Sequence, residues 1–158
     1  MTYPYPLLQT CKIVEAITPQ VGAAITGDYV SLKNVHMAWV IVHVAQGNAA
    51  QMTISLNRAT AVAPTGAVAI ANVVKIWANQ DCATSDLLVR QTDAINFQLS
   101  AAVAHKLVIF QVDPASLGAG YDCIAVATGA SNADNLTSAI YVLEERYQGE
   151  QPPSAIVD

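Results

Sequence analysis

The sequence predicts an all-β fold, an antiparallel β-sandwich of jelly-roll-like form with about ten short strands and extended arms at both ends. Three observations carry this. Short runs of apolar or alternating residues recur along the whole chain. Turn signals separate them every 8 to 14 residues or so, the rhythm of a sandwich. No segment shows the long 3.6-residue periodicity of an amphipathic helix.

The first run, residues 12–17, is stopped by Thr18-Pro19-Gln20. The next, 28–32, alternates, with Tyr29, Ser31 and Lys33 on one side and Val30 and Leu32 on the other. Residues 37–44 are apolar at both parities except His43, the pattern of a central strand covered on both faces. Gln46-Gly47-Asn48 ends it. Residues 52–57 alternate again, placing Met52, Ile54 and Leu56 inward and Thr53, Ser55 and Asn57 outward. Pro64 and Gly66 break the chain. Residues 72–77 read as a strand closed at 79–81, and 87–91 and 96–100 read as a pair. The run 105–112 is the second strongly apolar strand. Asp113 followed by Pro114 predicts a capped short helix or 3₁₀ turn, ended by Gly118 and Gly120. Strands over 121–127 and 137–143 complete the set. The alanine-rich stretch 61–78 is the one place where a helix competes; Pro64, Gly66, Val73 and Val74 weigh against it.

Three units follow: an N-terminal arm (1–10), a sandwich domain (11–148) and a proline-containing tail (149–158). Pro152 and Pro153 prevent the tail from continuing a sheet. The arms carry Tyr3, Tyr5 and Leu7 at one end and Pro152, Pro153 and Ile156 at the other. Extended proline-rich ends either move freely or lie along a neighbouring subunit, and the apolar side chains here favour docking, which makes those residues the candidate protein-interface set.

The composition points the same way. Of the 158 residues, 53% are hydrophobic and only 12% charged, against about 25% charged in an ordinary soluble domain. A surface so poor in charge is either small and neutral or covered by partners. The formal charge is −5 and the seven Lys and Arg are scattered. No basic stripe is present to neutralise phosphates, so neither direct nucleic-acid binding nor an anionic membrane surface is expected. The longest apolar run, 67–78, contains Asn72 and Lys75 and is far short of the ~20 residues of a membrane helix. There is no basic leader with a long apolar core at the N-terminus, and a cytosolic site of synthesis is expected.

Catalytic signatures are missing. Cys11, Cys82 and Cys123 form no CxxC, and three widely spaced cysteines read as small buried hydrophobes in a reducing compartment. His36, His43 and His105 fall into no metal-ligand spacing; His43 and His105 read as hydrogen-bonded structural residues. No GxSxG, Walker A or HExxH occurs, and Gly118-Ala-Gly120 lacks the third glycine and helix of a dinucleotide loop. Asp81, Asp86, Asp93, Asp113 and Asp134 fit turn and cap roles. Asp122 alone sits within a strand, where solvent, a subunit contact or calcium could take it. Trp39 and Trp77 read as core residues, with interface anchoring the second reading. Asn135-Leu-Thr137 matches a glycosylation sequon. We therefore expect no enzyme, no cofactor and no metal.

Several stretches together carry a resemblance: Ile17-Thr-Pro-Gln20, Gly27-Asp-Tyr-Val-Ser-Leu-Lys-Asn34, Ala45-Gln-Gly-Asn48, Ile76-Trp-Ala-Asn79, Val112-Asp-Pro-Ala-Ser-Leu117 and Thr128-Gly-Ala-Ser-Asn132. From about Cys11 onward the chain resembles small proteins that tailed bacteriophages and prophages encode close to the major capsid protein. The resemblance implies a structural virion protein, a capsid decoration (cement) subunit on the exterior of the head. Its partners would be the major capsid protein and further copies of itself, a trimer fitting local three-fold positions. A head–tail connector or tail component is the nearest alternative. A carbohydrate-binding sandwich is the alternative from another class, with Trp77, Asn79 and Asp81 as its one plausible cluster.

Overall fold

The computed structural model describes residues 6–130 and 133–147. In chain order, a helical turn α1 (Leu7–Thr10) leads into β1 (Cys11–Val21), β2 (Val30–Ser31), β3 (Val35–Ala45), β4 (Met52–Ala59), β5 (Val68–Ala69), β6 (Lys75–Asn79), β7 (Val89–Arg90), β8 (Asn96–Leu99) and β9 (His105–Val112). A 3₁₀ turn (Pro114–Leu117) precedes β10 (Cys123–Thr128) and β11 (Leu136–Glu145). The strands form two antiparallel sheets, β1-β11-β3-β9-β6-β7 and β2-β10-β4-β5, with β8 also paired to β4. Setting aside β5, β6 and β7 leaves β1-β11-β3-β9 facing β2-β10-β4-β8. First strand lies beside last and second beside second-last, the interleaving of a jelly roll. The fold class read from the sequence is the observed one. The pair β6–β7 extends the first sheet beyond β9.

The core lies between the sheets. β3 contributes Ala38, Val40, Val42 and Val44; β9 contributes Val108, Phe110 and Val112; β4 contributes Met52, Ile54 and Leu56; β10 contributes Ile124 and Val126. The alternation expected for 52–57 is thus observed. A small second cluster of Tyr29, Ala59, Cys123 and Ala125 lies on the other side of β10, with Val62 against it. The sheets are also tied by a polar link. The Tyr141 hydroxyl on β11 accepts from the Val126 amide on β10 (3.0 Å) and donates to the Asp28 carbonyl (2.9 Å).

Local chemistry explains the connections. Asp113 accepts from the Ala115 amide at 2.9 Å and Pro114 opens the 3₁₀ turn; Gly118 (φ 87°) and Gly120 (φ 84°) end it in the left-handed region that glycine tolerates. Lys106, fully buried, closes one end of the sandwich. Its ammonium donates to Gln46 Oε1 (2.7 Å), the Ser100 carbonyl (2.6 Å) and Ser100 Oγ (2.9 Å). Three donors meet three acceptors, so the group is a peg between two loops.

Four expectations are corrected. The first strand does not stop at residue 17; it runs to Val21 through Pro19. β1 is a sheet edge and its register slips between Glu15 and Ile17 and between Ile17 and Gln20, which is where a proline fits. The segments read as a pair at 87–91 and 96–100 do not pair: β7 joins β6 in the first sheet and β8 joins β4 in the second. The chain crosses between sheets at the Val74–Ala94 bridge. β3 is central but covered on one face only (next section). Residues 7–10, assigned to an extended arm, form a helical turn closed by the Gln9 amide on the Pro6 carbonyl.

Candidate functional site: the outer face of the six-stranded sheet

Register and alternation decide which side chains share a face. Directly opposed residues of an antiparallel pair point the same way. Starting from Ile41 on β3, its partners are Ile140 on β11 and Ile109 on β9. Ile140 is opposite Glu15 on β1, Ile109 opposite Trp77 on β6, and Trp77 opposite Arg90 on β7. One row therefore crosses all six strands. The neighbouring row is Ile13, Val142, Trp39, Gln111 and Lys75. A third holds Ser138, His43, Leu107 and Asn79.

Apart from Asn79, which is buried with its side chain on the Ser85 carbonyl, these side chains alternate with the buried ones and point away from the core. Ile13 is 44% exposed and Ile140 38%. Trp39, Ile41, Trp77, Leu107, Ile109 and Val142 are half-buried, shielded sideways by one another. None of them belongs to either buried cluster or packs against one. The outcome is an apolar sheet face that no described element covers. Trp39 and Trp77, read as core, are thus on the outer face, and the both-parity apolar pattern of 37–44 is half core and half outer surface.

Charge on this face is confined to its flanks. Glu15 and Glu144 stand on β1 and β11; Lys75 and Arg90 stand on β6 and β7. The Arg90 guanidinium lies 4.9 Å from the centre of the Trp77 ring and pairs with Asp93. At one end of the face His43 and His105 are exposed and their rings stack at 6.0 Å, so residues expected to be hydrogen-bonded structural histidines lie on the surface of this face.

The other sequence candidates resolve in plain ways. Of the interface set, Leu7 is 57% exposed on α1, beside Leu8 at 54%; Tyr3, Tyr5, Pro152, Pro153 and Ile156 lie outside the described residues. The Trp77, Asn79 and Asp81 cluster is spoken for. Arg90 covers the indole, Asn79 Nδ2 donates to the Ser85 carbonyl, the Asn79 side-chain oxygen accepts from the Asp81 amide, and Asp81 accepts from the Ala83 amide. Asp122 faces Lys33 at 3.3 Å and accepts from the Cys123 thiol, an arrangement already neutralised by a cation. Asn135 of the sequon is fully buried, accepting from the Gly47 amide at 2.9 Å. Burial, then the Asp122 carboxylate, push the Cys123 thiol up to about 12, and burial with Asp81 and Asp86 raises Cys82; both are poor nucleophiles. Burial lowers Lys106, with Asp81 opposing. Hollows of about 220, 280 and 330 Å³ lie open on the surface; the first is lined by Lys75, Asp93, Gln111, Asp113 and Ser116, the second by Asp28, Tyr29, Val62 and Ala63.

No family model matches the chain and no curated protein matches it. Among solved structures, the SPBc2 prophage-derived protein YomS is similar in outline, with a TM-score of 0.45 and 9% identity over 84% of this chain and 92% of that one.

Proposed function

We propose that this chain is a structural virion protein, a capsid decoration subunit that binds the exterior of a phage head and stabilises the shell by protein–protein contacts. Its partners in this reading are the major capsid protein and further copies of itself, and it acts without catalysing a reaction. The observation that carries the proposal is the uncovered apolar face of the six-stranded sheet, on a chain with 12% charged residues. Such a face meets another protein surface. The motif resemblance to proteins encoded beside the major capsid protein supplies the head as the setting. Repetition on a shell makes individually weak contacts sufficient.

Cryo-electron reconstruction of the source particle tests this directly. Density for the chain at every capsomer junction of the outer shell is the expected result. Copies confined to a single vertex would move the protein to the connector or tail. A particle lacking the chain would remove the virion reading. The carbohydrate alternative finds less support, because Arg90 occupies one face of the Trp77 ring and the Asn79 and Asp81 side chains are engaged within their own loop.

A further inference from the structure

We infer that the outer face of the six-stranded sheet is a two-fold interface with a second copy of this chain, the axis running parallel to the strands between β3 and β9. This deepens the proposed function by naming the occupant of its principal surface.

The argument begins with the row Glu15, Ile140, Ile41, Ile109, Trp77, Arg90. It reads acid, apolar, apolar, apolar, aromatic, base. A rotation by 180° about an axis along the strands turns the face over, keeps each row on itself and reverses the order across the sheet. β1 then lies over the partner's β7, β11 over its β6, and β3 over its β9. Glu15 meets the partner's Arg90, Ile140 meets the partner's Trp77 and Ile41 meets the partner's Ile109. Glu144 on β11 comes within one row of the partner's Lys75. Each contact occurs twice, as a two-fold requires. An axis perpendicular to the strands would instead set acid on acid and base on base. Asp93 already pairs with Arg90, whose Nη1 donates to the Ile76 and Gln91 carbonyls, and Asp93 and Asp113 line one hollow with Lys75; Glu15 of the second copy is therefore an added partner for a guanidinium already held in place.

Shape and area agree. The natural cover for a flat sheet is a second sheet, with strands aligned within about 30° and faces ~10 Å apart. Six strands at ~4.8 Å spacing, over three to four rows, present on the order of 600 Å² per copy. Two such faces bury roughly 1,200 Å², the lower end of stable specific interfaces. Edge-to-edge growth of the sheet is the weaker option, because the free edge of β1 carries Pro19 and two register slips.

The test is sedimentation equilibrium of the full chain and of face variants. The wild type is expected at twice its 16.6 kDa. Ile41→Lys is expected to weaken association by about 100-fold or more, because it buries a charge at the centre of the interface. Its circular dichroism and melting temperature should match those of the wild-type monomer. Glu15→Arg and Arg90→Glu should each weaken the dimer by about 10-fold, and the two together in one chain should restore it, since each new charge then faces its opposite. A monomeric wild type at high concentration would overturn the inference. So would a trimer or dimer indifferent to Ile41→Lys, failure of the charge swap to restore what the single changes lose, or a monomer that dimerises only after residues 148–158 are removed, which would make the tail the occupant. A dimer from a chain absent from the particle would sink the virion reading alone; a decorated particle whose chain sediments as a monomer would sink only the two-fold.

Discussion

Three buried side chains carry polar atoms whose fates differ, and each difference is measurable. Tyr141 is fully buried and both hydrogen-bonding capacities of its hydroxyl are used, on Val126 and Asp28. Tyr141→Phe leaves an amide and a carbonyl without that partner between the sheets. Chemical denaturation should show a loss of about 1–3 kcal/mol. Thr137 is the opposite case: its hydroxyl is buried with no hydrogen-bond partner among the described residues. Thr137→Val keeps the shape and removes the desolvated oxygen, and should stabilise by about 1 kcal/mol, read as a melting temperature higher by about 2–4 °C. Cys123 adds a pH dependence. Its folded value is raised from 9.0 to about 12, so between those limits the folded chain retains a proton that the unfolded chain has lost. The stability it contributes is complete below pH 9 and disappears as pH rises toward 12. Tyr141, also raised by burial, acts in the same direction above pH 10. Urea midpoints should fall between pH 8.5 and pH 11, and Cys123→Ala should flatten the fall.

At the scale of the elements, the strands that were legible in the sequence are those whose patterns have a single physical cause. Residues 52–57 alternate because one face meets the core and the other water, and β4 follows that reading. The Asp113-Pro114 start and the Gly118 stop are local chemistry and need no tertiary knowledge. The errors share a different origin. The segments of β7 and β8 look like a pair, and neighbours in sequence usually do pair, yet the chain crosses between sheets at Ala94, and nothing local encodes a crossing. Pro19 reads as a stop unless the strand is known to be an edge. Gly27 shows how a connection can be fixed by space alone. A Cβ there would lie 2.5 Å from the Ala16 carbonyl oxygen and 3.0 Å from Ile17 Cγ1, where the chain passes from β1 toward β2 with its amide on the Val126 carbonyl. Gly27→Ala should cost about 1–3 kcal/mol in thermal or chemical unfolding, whereas Gly66→Ala, with open space around it, pays only for its positive φ.

For the whole molecule, the misreading of Trp39 and Trp77 is the informative one. An apolar residue at both parities of β3 signals that both faces are to be kept from water. Sequence does not say whether the cover belongs to the same chain or to another. Here one face is the core and the other is bare of any described element, so the burial encoded at Trp39, Ile41 and Ile109 falls to assembly. The arms pose a separate question, because Tyr3, Tyr5, Pro152, Pro153 and Ile156 lie beyond the described residues and Leu7 is exposed beside β1. Two distinct contacts can therefore be separated by experiment. Removing residues 1–8 and 151–158 takes away the arms and leaves every sheet-face residue and every core residue in place. The shortened chain should unfold cooperatively and sediment as the full chain does, since the face is intact. Its binding to undecorated capsids should nevertheless weaken, by more than either single truncation, if the arms supply the contact with the shell while the sheet face joins copies to one another. Capsid binding unchanged by the double truncation would assign shell contact to the sandwich body and leave the arms without a role in assembly.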